Sequence, residues 1–134
     1  MHRQAALAFT FFAGVLAACT TEPPPVDPNL APVNYKKEIT DTLTNTLVDP
    51  TNVREAFISE PVLTKVGNGQ RYTACVRYNA RDASRQYTGS TDRIAYFYGG
   101  HLNQLVEATK EQCGNAAYQP FPELEKVCLA VKCN

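Results

Sequence analysis

Apolar and polar positions divide the chain into blocks of different rhythm. Ala5 to Leu16 (AALAFTFFAGVL) is uncharged and mostly apolar. Twelve residues are too few to span a bilayer as a stable helix, but they suit the core of an export signal. Thr20 to Asn34 (TTEPPPVDPNLAPVN) has five prolines and little to bury, which predicts a stiff extended linker. The alternative, an ordered arm lying on the domain, is open to Val33 and Asn34 only. From Tyr35 the apolar residues Tyr35, Ile39, Leu43 and Leu47 recur every four positions. That spacing predicts an amphipathic helix to about Val48, capped by Asn34. Asp49-Pro50 ends it and predicts a second, short helical turn with Val53, Ala56 and Phe57 inward. Ile58 to Lys65 reads as extended, with Pro61 at an edge or bend.

The rhythm changes to two after the turn Gly67-Asn68-Gly69. From Gln70 to Asn79, Tyr72, Ala74, Val76 and Tyr78 fall on one face, and Thr73, Cys75 and Arg77 on the other. Asn79 to Ser84 is a polar turn, Arg85 to Thr88 a short returning strand closed by Gly89, and Arg93 to Tyr98 a further strand. Gly99-Gly100 is a hairpin turn that permits positive φ at both sites, with His101 to Val106 returning from it. Pro122 opens a last helical turn carrying Leu124, Val127 and Cys128. The predicted fold over residues 35–134 is a small α+β domain. Its N-terminal helix packs on an antiparallel sheet of three to five strands.

Composition narrows the class. The 134 residues carry 13 basic and 13 acidic side chains. From Tyr35 onward the counts are 12 and 11. A domain near +1 lacks the positive excess that nucleic-acid binding requires, so no nucleic-acid partner is expected. A domain of this size buries a modest core that cross-links would reinforce. Cys75, Cys113, Cys128 and Cys133 supply an even number for two disulfides, among three possible pairings. Cys75–Cys113 with Cys128–Cys133 is favoured. It staples the sheet to the C-terminal segment and closes a local loop. The spacings contain no CxxC pair, so neither a zinc site nor any other metal or cofactor is expected.

Leu16-Ala17-Ala18-Cys19, directly after the apolar run, resembles the lipobox of bacterial lipoproteins. The resemblance implies a signal peptide over residues 1–18, removed on export. It also implies acylation of Cys19 and a lipid-anchored, proline-rich linker over residues 19–34. Several acyl chains anchor a protein stably, at about 0.8 kcal/mol per buried methylene. Thr20 stands after the cysteine where an aspartate would retain a lipoprotein at the inner membrane. By the sorting rule of two-membrane bacteria, the expected location is the outer membrane.

A second resemblance covers roughly Asp49 to Tyr98. Asp49-Pro50-Thr51-Asn52-Val53-Arg54, Cys75-Val76-Arg77-Tyr78-Asn79-Ala80-Arg81 and Tyr87-Thr88-Gly89 are similar to a group of small bacterial envelope proteins. Those proteins have a "DPxS" helix start, a "C-x-x-V/Y-N-A-K/R" strand end and "G-x-Y-x-G". This chain departs from them at Asn52 and Gln86. The group has no assigned activity, so the resemblance implies no catalytic residue.

Candidate chemistry is sparse. His101 with Cys75 would suggest a thiol enzyme. Asp82 and Asp92 could form a carboxylate pair, although turns carry aspartate for backbone reasons. Arg77, Arg81 and Arg85 lie close in sequence to Tyr78, Tyr87, Tyr96 and Tyr98. Arginine and tyrosine concentrate at binding hot spots, so Arg77, Arg81, Arg85, Tyr87, Tyr96 and Tyr98 form a candidate surface for an anionic partner. The same residues also suit cross-strand pairing on a half-exposed sheet. The expected function is a lipid-anchored, non-enzymatic envelope protein that binds a cell-envelope or cell-wall partner or maintains the outer membrane. The alternative is an inhibitor module that inserts the Asn79–Gly89 loop into an extracellular hydrolase.

Overall fold

A computed structural model of the chain describes residues 19–128. The export signal expected over residues 1–18 and Cys133 lie outside the described residues. The fold is α+β with an antiparallel sheet and a Cys75–Cys113 disulfide. Helix α1 (Tyr35–Thr46) leads into β1 (Asp49–Ile58), β2 (Val62–Val66), β3 (Gly69–Arg81), β4 (Tyr87–Tyr98) and β5 (His101–Glu107). A short α2 (Lys110–Cys113), β6 (Gln119–Pro120) and α3 (Pro122–Glu125) follow. The strand order is β5-β4-β3-β1-β6, and β2 pairs with the first half of β3. The described sheet thus has six strands rather than three to five, because β1 and β2 share one side of the long β3.

The period-two reading of β3 sorts its residues correctly. Ala74, Val76 and Tyr78 are buried in one cluster with Ile39 and Leu43 of α1, Val53, Ala56 and Ile58 of β1, and Phe121 and Leu124. We call this the helix face. Cys75 belongs to a second cluster on the opposite face, with Ile94 and Cys113, flanked by Tyr96, Ala116 and Tyr118. A strand buried on both faces needs apolar side chains in both registers, and β3 supplies them between Ala74 and Val76.

Two expectations are corrected. Asp49 to Phe57 forms a strand, not a helical turn. Val53 and Ala56 are buried as expected, but Phe57 is exposed. The three-residue spacing that resembled a helix comes from register shifts between Asp49 and Arg54 and between Arg54 and Phe57. Asn52 at φ 57° and Glu55 at φ 53° bend the strand there. The second correction joins the expected Arg85–Thr88 and Arg93–Tyr98 segments into one strand, β4. Gly89, at φ 97°, sits in the bulge that absorbs the extra residue opposite Asn79–Arg81 rather than closing a strand.

The linker is also shorter than its proline content predicts. The Gly99 amide donates to the carbonyl of Pro28 at 3.3 Å, and the Leu30 amide to that of Asp27. Val26 lies against Gly99, and Leu30 against Gly100. Pro32 is buried. Residues 26–32 therefore form an ordered arm over the β4–β5 turn.

Candidate functional site

Of the arginines and tyrosines singled out from the sequence, Arg77 and Tyr96 lie on the disulfide face, while Tyr78 is buried on the helix face. Register explains their neighbours. Arg77 faces Asp92 across β3 and β4, and Arg81 faces Asp49 across β3 and β1. Arg77 donates twice to Asp92, at 2.7 and 2.9 Å, and its guanidinium lies 4.6 Å from the centre of the Tyr118 ring. Tyr118 donates its hydroxyl to the same carboxylate at 3.1 Å. Arg77 hydrogen bonding holds Asp92 below the ordinary carboxylate range. Burial, with the Asp92 charge adding to it, pushes Tyr118 up to about 12. Arg81 contacts Asp49 at 2.7 Å, and Asp49 is lowered first by its hydrogen bond from Thr51 and further by Arg81.

These contacts reassign most of the expected Arg–Tyr surface. Arg77 and Arg81 have bidentate or chelating partners within the sheet, so their charge is largely compensated. Tyr87 donates to the Asn52 carbonyl at 2.7 Å and carries Arg54 over its ring at 4.1 Å. Tyr96 accepts from Gln112 at 3.0 Å. Tyr98 is exposed, with Arg71 at 5.2 Å. Arg85 stands apart from this ladder, exposed at φ 61° in the β3–β4 turn.

The residues weighed for catalysis are occupied structurally. Cys75 is in the disulfide, so it presents no thiol. His101 lies on the β4–β5 hairpin, 3.0 Å from Glu38 of α1. Asp82 accepts from the Ser84 and Gln86 amides and so shapes its turn. Asp92 is the partner of Arg77 and Tyr118, not of Asp82. Cys128 is also disulfide-bonded.

What sequence reading missed is a cleft of about 900 Å³ beside the disulfide. Thr73, Cys75, Ile94 and Tyr96 form its floor. Val62, Thr64 and Val66 of β2 form one wall, and Gln112, Ala116 and Gln119 the other. Thr64 and Thr73 hydrogen-bond to each other at 2.9 Å, so their hydroxyls are satisfied within the wall and floor. The second wall exists because Thr109 caps α2 with a capping box and Cys113 ties α2 to the sheet. No sequence signal marked the cleft: Val62-Leu63-Thr64-Lys65-Val66 does not alternate, and the second wall is set by α2 and the segment after it. Glu60, Lys65 and Glu111 are the charged residues of its lining, and most of the remaining surface is apolar. The cleft suits burial of an apolar side chain or strand better than proton transfer.

No helix among the described residues is long and apolar enough to cross a membrane. The chain matches no family model, no curated protein and no solved structure.

Proposed function

We propose that this chain is a lipid-anchored, non-enzymatic protein of the bacterial cell envelope, held at the outer membrane through acylated Cys19. Its α1, packed on the disulfide-braced sheet, is the scaffold, and the cleft beside Cys75–Cys113 is where it engages a partner. The observation that carries this reading is the cleft itself. It is a preformed, mainly apolar concavity whose one cysteine is held in the Cys75–Cys113 bridge. The lipobox at Leu16 to Cys19 supports the anchor, and exposed Cys19 keeps its sulfur available for acylation.

A photo-crosslinking residue at Val62 or Gln119 tests the cleft in living cells. Both positions should give the same discrete adduct. Lys126, beyond α3 on the helix face, should give none. Ala116→Trp, which fills the cleft, should remove the adduct. Adducts that survive A116W, or that form equally from Lys126, would return the cleft to a purely structural role.

One observation favours the inhibitor reading as a second possibility. Asp82 braces its turn through two backbone amides while Arg85 projects at positive φ. A braced loop tip with one exposed arginine is the shape an enzyme cleft admits. Inhibition of a cell-wall hydrolase by the wild type but not by Arg85→Glu would favour it over the cleft.

A further inference from the structure

The arm fixes which end of the domain meets the lipid. Seven peptide steps separate Cys19 from Val26, where the chain first touches the domain. At about 3.1 Å per residue for a proline-rich segment, that allows about 22 Å at full extension. The docking point is the Gly99–Gly100 turn. The antiparallel register puts the Gly67–Asn68 turn at the same end of the sheet, because Thr73 pairs with Tyr96 and Val66 with Gly69. The first turn of α1 is there too, since Glu38 accepts from the Leu102 amide.

That end is chemically distinct. Ten large apolar residues are exposed among the described residues, and six of them belong to it: Val26, Leu30, Val33, Leu63, Val66 and Tyr98. Scattered exposure of this kind needs no explanation, but concentration at one end does. From Val62 to Arg71 the only charges are Lys65 and Arg71. Asp27 of the arm and Glu38 of α1 are acids of the same end, so the fit to lipid headgroups rests on the exposed valines, leucines and Tyr98 together with Lys65 and Arg71.

We propose that the β2–β3 and β4–β5 turns form a membrane-apposed surface that lies on phospholipid headgroups once Cys19 is inserted. This rests on the lipid-anchor reading above and adds an orientation to it. The clamp of Val26–Pro32 on the β4–β5 turn is what converts a flexible tether into a directed one. The β3–β4 turn, with Arg85, then points away from the bilayer, since it lies at the opposite end of β3 and β4.

The chain has no tryptophan, so a single one reports its own surroundings. The test uses the acylated full chain in vesicles of phosphatidylethanolamine and phosphatidylglycerol containing brominated acyl chains. Asn68→Trp and Gln70→Trp report the proposed surface, and Ser84→Trp the opposite turn. N68W and Q70W should lose much of their emission and shift to the blue, while S84W should do neither. Equal emission from all three in vesicle-bound protein would overturn the orientation and leave the anchor standing. Protein of unmodified intact mass that does not sediment with the vesicles would overturn both. Quenching of S84W alone would place the opposite end at the lipid and overturn the proposal.

Discussion

Arg77, Asp92 and Tyr118 act as one unit on the disulfide face. Two hydrogen bonds, a stacked ring and a shared carboxylate tie β3, β4 and the segment after α2 together. The carboxyl of Asp92 is held below its ordinary value of 3.8 in the folded state. A depressed carboxylate stabilises the fold fully above its unfolded value, and this is lost as pH falls through the folded value. Asp92→Asn should therefore lower stability at neutral pH by about 1 kcal/mol, a figure discounted because the Arg77 side chain is partly exposed. The difference from wild type should shrink as pH drops below 3.8. Urea unfolding from neutral to acid pH measures both, and a gap that widens toward acid would reject the assignment. Tyr118, raised to about 12, should be among the last tyrosines to ionise. Ultraviolet titration of Tyr118→Phe should remove a late-titrating phenol and leave the early part of the curve unchanged. Arg85 offers a test of strain. At φ 61° a glycine is more comfortable, so Arg85→Gly should raise stability by about 0.5–1 kcal/mol. A clear loss in chemical denaturation would mean its side chain makes a stabilising contact.

Strands and helices show where periodicity informs and where it misleads. The four-residue stripe of α1, the alternation in β3 and the two-glycine hairpin were legible because regular backbone maps sequence spacing directly onto faces. The Cys75–Cys113 pairing was legible as the favoured one of three. β1 was not legible, because its bulges change the spacing of Thr51, Val53, Ala56 and Ile58 to two, three, two. The cleft was invisible for a different reason. One wall is a connecting segment whose path depends on the disulfide and on a capping box, and no period reports that. The arm was read as free linker because prolines suggest extension, and extension does not preclude docking. Gly99 makes the docking testable. A Cβ there would meet Val26 at 2.6 Å, and φ is 58°. Gly99→Ala should cost about 1 kcal/mol or more and release residues 26–32. Faster hydrogen exchange at Gly99 and Leu30, or new protease cuts in that segment, would report the release. Unchanged exchange would show that the arm holds by other contacts.

The molecule as a whole reads as a braced sheet clamped to a short leash. Cys75–Cys113 spans 38 positions and joins β3 to α2. Replacing both cysteines with alanine should cost about 2–4 kcal/mol in guanidinium unfolding and open the cleft wall. A change well under 1 kcal/mol would mean that packing of Ile94, Ala116 and Tyr118 suffices without the bridge. The pieces serve one arrangement. In the proposed account, export would supply the oxidising space in which the bridge forms, and the arm would orient the cleft above the lipid; the bridge itself ties α2 to the sheet beside that cleft. All of this begins with the fate of Cys19. Metabolic labelling with an alkyne palmitate analogue, followed by membrane fractionation, measures that fate directly. The wild type should carry label and sediment with outer membranes, and Cys19→Ala should carry none. A wild-type chain without label, recovered from the cytosol with its cysteines reduced, would contradict the account at its root.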